Sequence, residues 1–405
     1  MNARMLSLEE ASRRLLSGAQ RTDGERVPLV EAVGRVLVEP KVVAAVDVPP
    51  FANSAMDGFA LRAADAPGEL RVVGEASAGA AELPAVDPGT AARIMTGAPI
   101  PPGADTVVPL EEATEREGSV SIPEPVPSGR HVRAAAHDTR AGEEICLPGA
   151  LTAAKIGVLA SLGIGDVEVR RRPVVAILST GDELVGPGEP LGPGQIHDAN
   201  GAALAAAVVE AGGIPLLLPR QRDEAGPIRA ALMAAARDAD LLVASGGVSV
   251  GRHDYVRAVL EQHGSLDFWR IAVQPGKPLA VGALGGATVI GLPGNPVSAL
   301  VTFELFVRPL IRAMVGLDGD GRLHVRATPT ERLPKDAARR AFLRVGVWHE
   351  DGEIHARPAG GQQSSQLRPL ADGNALLVVP EGADAADPSR TYEAIVFEPI
   401  LLSGR

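Results

Sequence analysis

The sequence predicts a multidomain α/β protein: a central doubly wound α/β domain, a small β domain inserted into an elongated N-terminal domain, and a barrel-like C-terminal β domain. Three observations predict it. From Pro173 to Val315 short apolar runs alternate with longer helical patterns, the order expected of a parallel sheet wrapped by crossover helices. Between 54 and 139 the chain breaks instead into brief β-like runs spaced by Gly and Pro, and after Gly316 strand-like runs return. A chain of 405 residues that is 45% hydrophobic can bury several cores, and ordinary domain size suggests about two to four of them.

The expected boundaries are 1–53 with 140–172 for the elongated N-terminal domain, 54–139 for the inserted β domain, 173–316 for the α/β domain and 317–405 for the C-terminal β domain. At the start, Ser7-Leu8-Glu9-Glu10 has the spacing of a capping box opening an amphipathic helix, and the basic and apolar regions of a signal peptide are missing, so a cytoplasmic protein is expected. Leu70-Arg71-Val72-Val73 and Thr106-Val107-Val108-Pro109 are the clearest strands of the inserted domain. The apolar stretch Ala150 to Gly163 is interrupted by Lys155 and too short to span a bilayer, so it reads as a buried helix, with no membrane partner.

In the central region Val174 to Leu178 is a strand, 200–212 an alanine-rich helix stopped by Gly212-Gly213, and Ile214 to Leu218 the next strand. A helix over 225–237, a strand over 241–245, a helix over 252–263, strands near 267–273 and 288–292 and a long helix over 296–315 complete it. Phe342 to Val347 and Ala375 to Val379 are strands of the last domain. The formal net charge is −11 and no run of Lys and Arg could follow a phosphate backbone, which argues against nucleic acid. The single cysteine, Cys146, excludes an internal disulfide and a multi-cysteine metal site, and reads as a small buried apolar side chain.

Open α/β sheets bind ligands at the carboxyl ends of their strands. Three such ends carry unusual loops: "STGDE" from Ser179, "SGGVSVG" from Ser245 and "GLPGNP" from Gly291. Glycine lets a backbone be approached closely, and amide groups ahead of a helix favour an anion such as phosphate. Each loop alone is an ordinary turn; three on one sheet edge predict a phosphate-bearing small molecule. Asp182 and Asp254, just past strand ends, are either turn and helix-start carboxylates or the holders of magnesium beside a phosphate. Lys277, in "QPGKP", offers an ammonium from a stiff setting between prolines, with Arg270 ahead of it on the strand. "PPFANSAMDGFA" and "RIMTGAPIPPGAD" read on periodicity alone as loops.

Those two segments, with "STGDEL", "GQIHDAN", "SGGVSVGRHDY", "QPGKP" and "GLPGNPVSAL" following in order over nearly the whole chain, resemble the molybdopterin molybdenumtransferases, the MoeA-type family that includes the gephyrin E domain. The resemblance implies an enzyme of molybdenum cofactor biosynthesis that reacts adenylylated molybdopterin with molybdate in the presence of Mg2+ and releases AMP. It implies that Asp182 and Asp254 are catalytic or magnesium-organising carboxylates. It implies that Thr180, Gly181, Ser245, Gly246, Gly247, Ser249, Gly251, Pro293, Gly294 and Asn295 cradle the pterin and its phosphate. Lys277 and Arg344 of "FLR" are implied to draw in molybdate, with Arg270 beside them, and Ser364 loosely matches the family's C-terminal glycine-serine loop. The family is a homodimer in which the "NSAMDG" segment is similar to a lid on the partner's site, so Asp57 and Thr96 are expected to act across the interface. The adenylyltransferase of the preceding step and molybdoenzyme acceptors are implied as further partners.

The chain also departs from the family pattern. Gln274 stands where a lysine is usual, "VRAAAHD" keeps only Arg133 and Asp138 of a more charged run, and Arg368-Pro369-Leu370 replaces a typical "TSL". Two other functions fit the same motifs: the molybdopterin adenylyltransferase, which shares the α/β domain but is normally one short domain, and a non-catalytic pterin-binding scaffold. Asp57, Asp182, Asp254 and Lys277 together favour catalysis over the scaffold.

Overall fold

The structure, a computed structural model, describes residues 5–221, 224–246 and 255–400. They form two compact units, one of residues 25–169 and the other of the described residues before 25 and after 169.

In the unit 25–169, a six-stranded sheet runs in the order Thr106–Pro109, Gly58–Leu61, Thr90–Ile94, Gly68–Ala76, Ser119–Ile122 and Thr114–Arg116. One face of it encloses Phe59, Leu61, Leu70, Val108, Val120 and Ile122, all at most 2% exposed, and each such side chain contributes about 1.5–3 kcal/mol on burial. A second cluster gathers Leu37, Leu147, Leu151, Leu159 and Val169. The helix expected over Ala150 to Gly163 spans Ala153–Ser161 and is capped by Thr152, but it is not a buried helix: Leu159 alone is fully buried, because alanine and glycine fill much of its surface and give it no broad apolar stripe. Cys146 is exposed, on a short strand paired with Lys41–Val43, which corrects the buried position expected of it.

The larger unit opens with the helix Leu8–Ser17, where the Ser7 hydroxyl accepts from the Glu10 amide at 3.2 Å as the capping spacing predicts. Ala11 and Leu15 of this helix join the core of the α/β sheet. That sheet is six-stranded, in the order Ile214–Leu217, Val174–Ser179, Leu241–Ser245, Ala287–Leu292, Pro278–Leu284 and Ser265–Arg270. The first four strands are parallel, Pro278–Leu284 runs against them, and the edge strand Ser265–Arg270, antiparallel to that one, returns to their direction. Helices cover both faces, and the helix Ala199–Ala211 ends on Gly212 in the left-handed conformation, φ 94°. The long helix expected over 296–315 is continuous from Pro296 to Met314 but widens to a π turn over Phe303–Val307. Pro309 lacks an amide donor, and a wider turn is one way a helix accommodates that loss.

Five strands of the C-terminal region close on themselves: Arg340–Glu350, Glu353–Pro358, Leu323–Pro329, Tyr392–Val396 and Ala375–Val379, which pairs again with the first. This is a barrel, and Val273–Gln274 adds a short parallel strand to it at Arg340–Ala341. The segment leading to "PGKP" is therefore fastened to the barrel wall. Among the described residues no helix is long and apolar enough to cross a membrane.

At the amino end of the sheet, Arg171 grips Asp240 with both terminal nitrogens at 2.6 Å, and the Val174 amide donates to the same carboxylate at 2.8 Å. Burial would push the Asp240 carboxyl up, but Arg171 and the amide outweigh it and hold it below the ordinary value. A lowered folded pKa gives stability that is present above the unfolded value, about 3.9, and lost as pH falls through the folded one. Asp240→Asn should therefore cost about 1–3 kcal/mol at pH 7 in thermal melts, and the gap from the wild type should close below about pH 4. A gap that is constant with pH would show that the charge on Asp240 contributes nothing.

Candidate functional site

Three neighbouring strands end level. Ser179 pairs with Ser245 and Ser245 with Leu292, so the loops that follow them leave the sheet from one height. Asn200, at the start of the next helix, ties two of these loops together: its side-chain amide donates to Ser245 Oγ at 2.8 Å and to the Gly294 carbonyl at 2.7 Å. Asp198 caps that helix by accepting from the Gly201 amide at 2.8 Å through Oδ1. Both come from "GQIHDAN", and the signal that could have marked them is an Asp immediately ahead of an alanine-rich helix.

Gly246 lies in the left-handed region, φ 88°, and a Cβ there would stand 3.1 Å from the Thr180 carbonyl and 3.3 Å from Thr180 Oγ1. Only glycine suits that position. Thr180 Oγ1 itself is buried with no hydrogen-bond partner, a polar atom in a cavity wall waiting for one.

Two cavities open at this edge. One, of about 660 Å³, is lined by residues including Thr180, Gly181, Glu183, Asp198, Asn200 and Ser245. The other, of about 650 Å³, is lined by residues including Gln274, Lys277, Pro293, Arg339, Gln363 and Ser364. They share Gly246, Gly294 and Asn295. The first carries hydroxyls and two carboxylates; the second carries two cations and no carboxylate among its described lining residues. Such a pair suits a ligand with a phosphate and hydrogen-bonding heteroatoms on one side and an oxyanion on the other.

The barrel supplies the far wall of the second cavity. Asn295 precedes Pro296 at the start of its helix, yet its side chain does not cap: Nδ2 donates to Ser364 Oγ at 3.1 Å. The Val297 amide donates to the Ser364 carbonyl at 3.2 Å, so this first-turn donor, expected to face an anion, is already taken. Arg344 is only 1% exposed and stands behind the wall, its NH2 donating to the carbonyls of Gly361 at 3.0 Å and Gln363 at 3.1 Å.

Of the residues singled out in sequence, Thr180, Gly181, Ser245, Gly246, Pro293, Gly294, Asn295, Lys277 and Ser364 line the two cavities. Asp182 is exposed and outside both linings, where its neighbour Glu183 stands instead. Arg270 ends the edge strand and is exposed, also outside both linings. Gly247, Ser249, Gly251 and Asp254 lie outside the described residues. In the other unit Asp57 and Thr96 do come together: the Thr96 amide donates to Asp57 Oδ1 at 2.6 Å, and that amide with the Thr96 side chain holds the carboxyl below its ordinary value. Glu183, Asp198, Asn200 and Arg339 were not anticipated.

Residues 6–163 match the family model described as the MoeA N-terminal region (domain I and II), 176–313 the probable molybdopterin binding domain, and 326–395 the MoeA C-terminal region (domain IV). The chain is similar to "Molybdopterin molybdenumtransferase 2" of Mycobacterium tuberculosis, 40% identical over 88% of this chain and 90% of that one. It is also similar to the molybdopterin molybdenumtransferase of Haemophilus influenzae, 38% identical over 98% and 100%. Among solved structures, one of a molybdopterin biosynthesis MoeA protein from Pyrococcus horikoshii is 29% identical with a TM-score of 0.81, over 97% of this chain and 100% of that one.

Proposed function

The chain belongs to the MoeA family of molybdopterin molybdenumtransferases, enzymes of molybdenum cofactor biosynthesis, and from that premise we propose that it inserts molybdate into adenylylated molybdopterin, with Mg2+, and releases AMP. The observation that carries this reading is the pair of cavities joined at Gly246, Gly294 and Asn295, one hydroxyl-rich and acidic, the other cationic. The adenylylated pterin lies over the bare backbones of Gly246 and Gly294. The unpartnered Thr180 hydroxyl donates to a phosphate oxygen, and Asn200 holds the two loops at fixed separation. Lys277, exposed at the mouth of the second cavity, attracts molybdate.

Among the described residues no group of three or more His, Cys, Asp or Glu side chains is arranged to hold a metal ion by itself. Magnesium commonly takes one or two carboxylates and completes its shell with waters and substrate phosphates. Asp182 and Asp254, with Glu183 and Asp198 of the lining, are the carboxylates that would hold it. Bound there, it would offset the charge of the phosphoanhydride. Asp182 or Asp254 positions the water that cleaves this bond. The chain acts as a cytoplasmic homodimer in this reading, the Asp57–Thr96 pair reaching a partner's site; Met56 and Met95, each adjacent in sequence to that pair and exposed, support a partner-facing surface there.

The test is AMP release from the purified protein given adenylylated molybdopterin and magnesium, with and without molybdate. Molybdate-dependent release, lost in Asp182→Ala and Asp254→Ala variants that still melt as the wild type does, is expected. Tight pterin binding without AMP release under any condition would identify a scaffold instead.

A further inference from the structure

The second cavity has a cation that the sequence did not single out. Arg339 lines it together with Lys277 and is half-buried. Its Nε donates to Asp336 Oδ2 at 2.8 Å. Neither of its terminal nitrogens has a hydrogen-bond partner among the described residues, so the open end of the fork is unspent. Asp336 is itself placed from two sides. Its amide donates to Gln274 Oε1 at 3.1 Å, and its Oδ1 accepts from the Ala338 amide at 2.9 Å. Gln274, uncharged, lines the same cavity.

We propose that Arg339 is an oxyanion-recognising residue of this cavity, aimed by Asp336 and acting with Lys277 as the second positive charge. The inference rests on the reading of the cavity as the molybdate side of the site. The physical case is one of geometry and sign. A guanidinium held through Nε keeps two parallel N–H donors, which match two oxygens of a tetrahedral dianion, whereas an ammonium is a point charge. The described lining holds no carboxylate to compete for those donors. Gln274 contributes its carbonyl to the Asp336 turn and no charge, so the positive potential depends on Lys277 and Arg339.

Arg339→Gln should weaken molybdate by about tenfold, the scale of one charge-assisted bidentate contact, and should leave kcat and the KM for the pterin unchanged. Asp336→Asn keeps the cation and loosens its aim, so it should raise the molybdate KM less than Arg339→Gln does. Gln274→Lys in the Arg339→Gln background should recover part of the loss by returning a charge to the same wall. An Arg339→Gln enzyme with a wild-type molybdate KM, or one in which the pterin KM rises as much as that for molybdate, overturns the inference. Calorimetric titration of molybdate alone into the full-length wild type and Arg339→Gln separates the two readings. Arg339-dependent molybdate binding without any AMP release supports the oxyanion site and sinks the transferase reading. Molybdate-dependent AMP release indifferent to Arg339 does the reverse.

Discussion

Arg344→Met should lower kcat/KM by about a hundredfold, the cost typical of a wall displaced by about an ångström, while the melting temperature stays close to that of the wild type. Arg344 has no carboxylate within ion-pair distance among the described residues, and burial alone pulls its pKa down. Its Nε is buried without a partner. Taking such a charge out of water costs several kcal/mol, roughly what is regained by removing it, whereas the two bonds from NH2 to Gly361 and Gln363 contribute about 1.5–3 kcal/mol each. These opposing terms leave stability little changed. The loop is a different matter, because it carries Gln362, Gln363 and Ser364, all in the cationic cavity wall. Its remaining ties, the bonds of the Gln362 side-chain amide to the Arg344 main chain at 2.9 and 3.0 Å and those of Asn295 and the Val297 amide to Ser364, survive the substitution and keep the loop near its place, while Gly361 and Gln363 lose their anchor. Steady-state kinetics beside thermal melts decide the point. Unchanged activity would mean that the wall is not part of the site, and an unfolded variant would mean that the guanidinium holds the barrel rather than the loop.

That wall also marks where sequence reasoning stops. Strand Leu241–Ser245 was legible because an unbroken apolar run ends abruptly in glycine, and the three loops at one edge followed from alternation of apolar runs and helical patterns. The strand Pro278–Leu284 was not, because alanine, glycine and a leading proline give it little strand character and its place depends on antiparallel pairing with both neighbours. The π turn at Phe303–Val307 has the apolar pattern of the helix around it, so periodicity cannot separate them. In a loop, a motif fixes the neighbourhood of a side chain but not its exact place, which is why Glu183 rather than Asp182 is among the residues lining the cavity. Arg339 lies more than sixty positions from Lys277, and only closure of the barrel beside "PGKP" brings the two to one cavity.

The stiffness of that same turn sets the largest expected effect on folding, Gly276→Ala. Gly276 has φ 110°, and a Cβ there would lie 2.4 Å from Thr302 Cγ2. Thr302 is fully buried, and its hydroxyl donates to the Ser298 carbonyl at 2.6 Å and lies 3.1 Å from that of Ala299, so its rotamer is fixed and the methyl cannot swing away. The left-handed backbone costs about 1–2 kcal/mol for an alanine, and overpacking adds about 1–3 kcal/mol. Urea unfolding should therefore show a loss of about 2–5 kcal/mol. The two contributions can be separated. Thr302→Ser removes the offending methyl and keeps the hydroxyl, so the double variant should regain the packing share but not the backbone share, giving a favourable coupling in the mutant cycle. Strict additivity would place the whole cost in the backbone. Lys277 is the next residue, so whichever share survives in the double variant also measures how far the ammonium is moved from the cavity, and the molybdate KM should follow it.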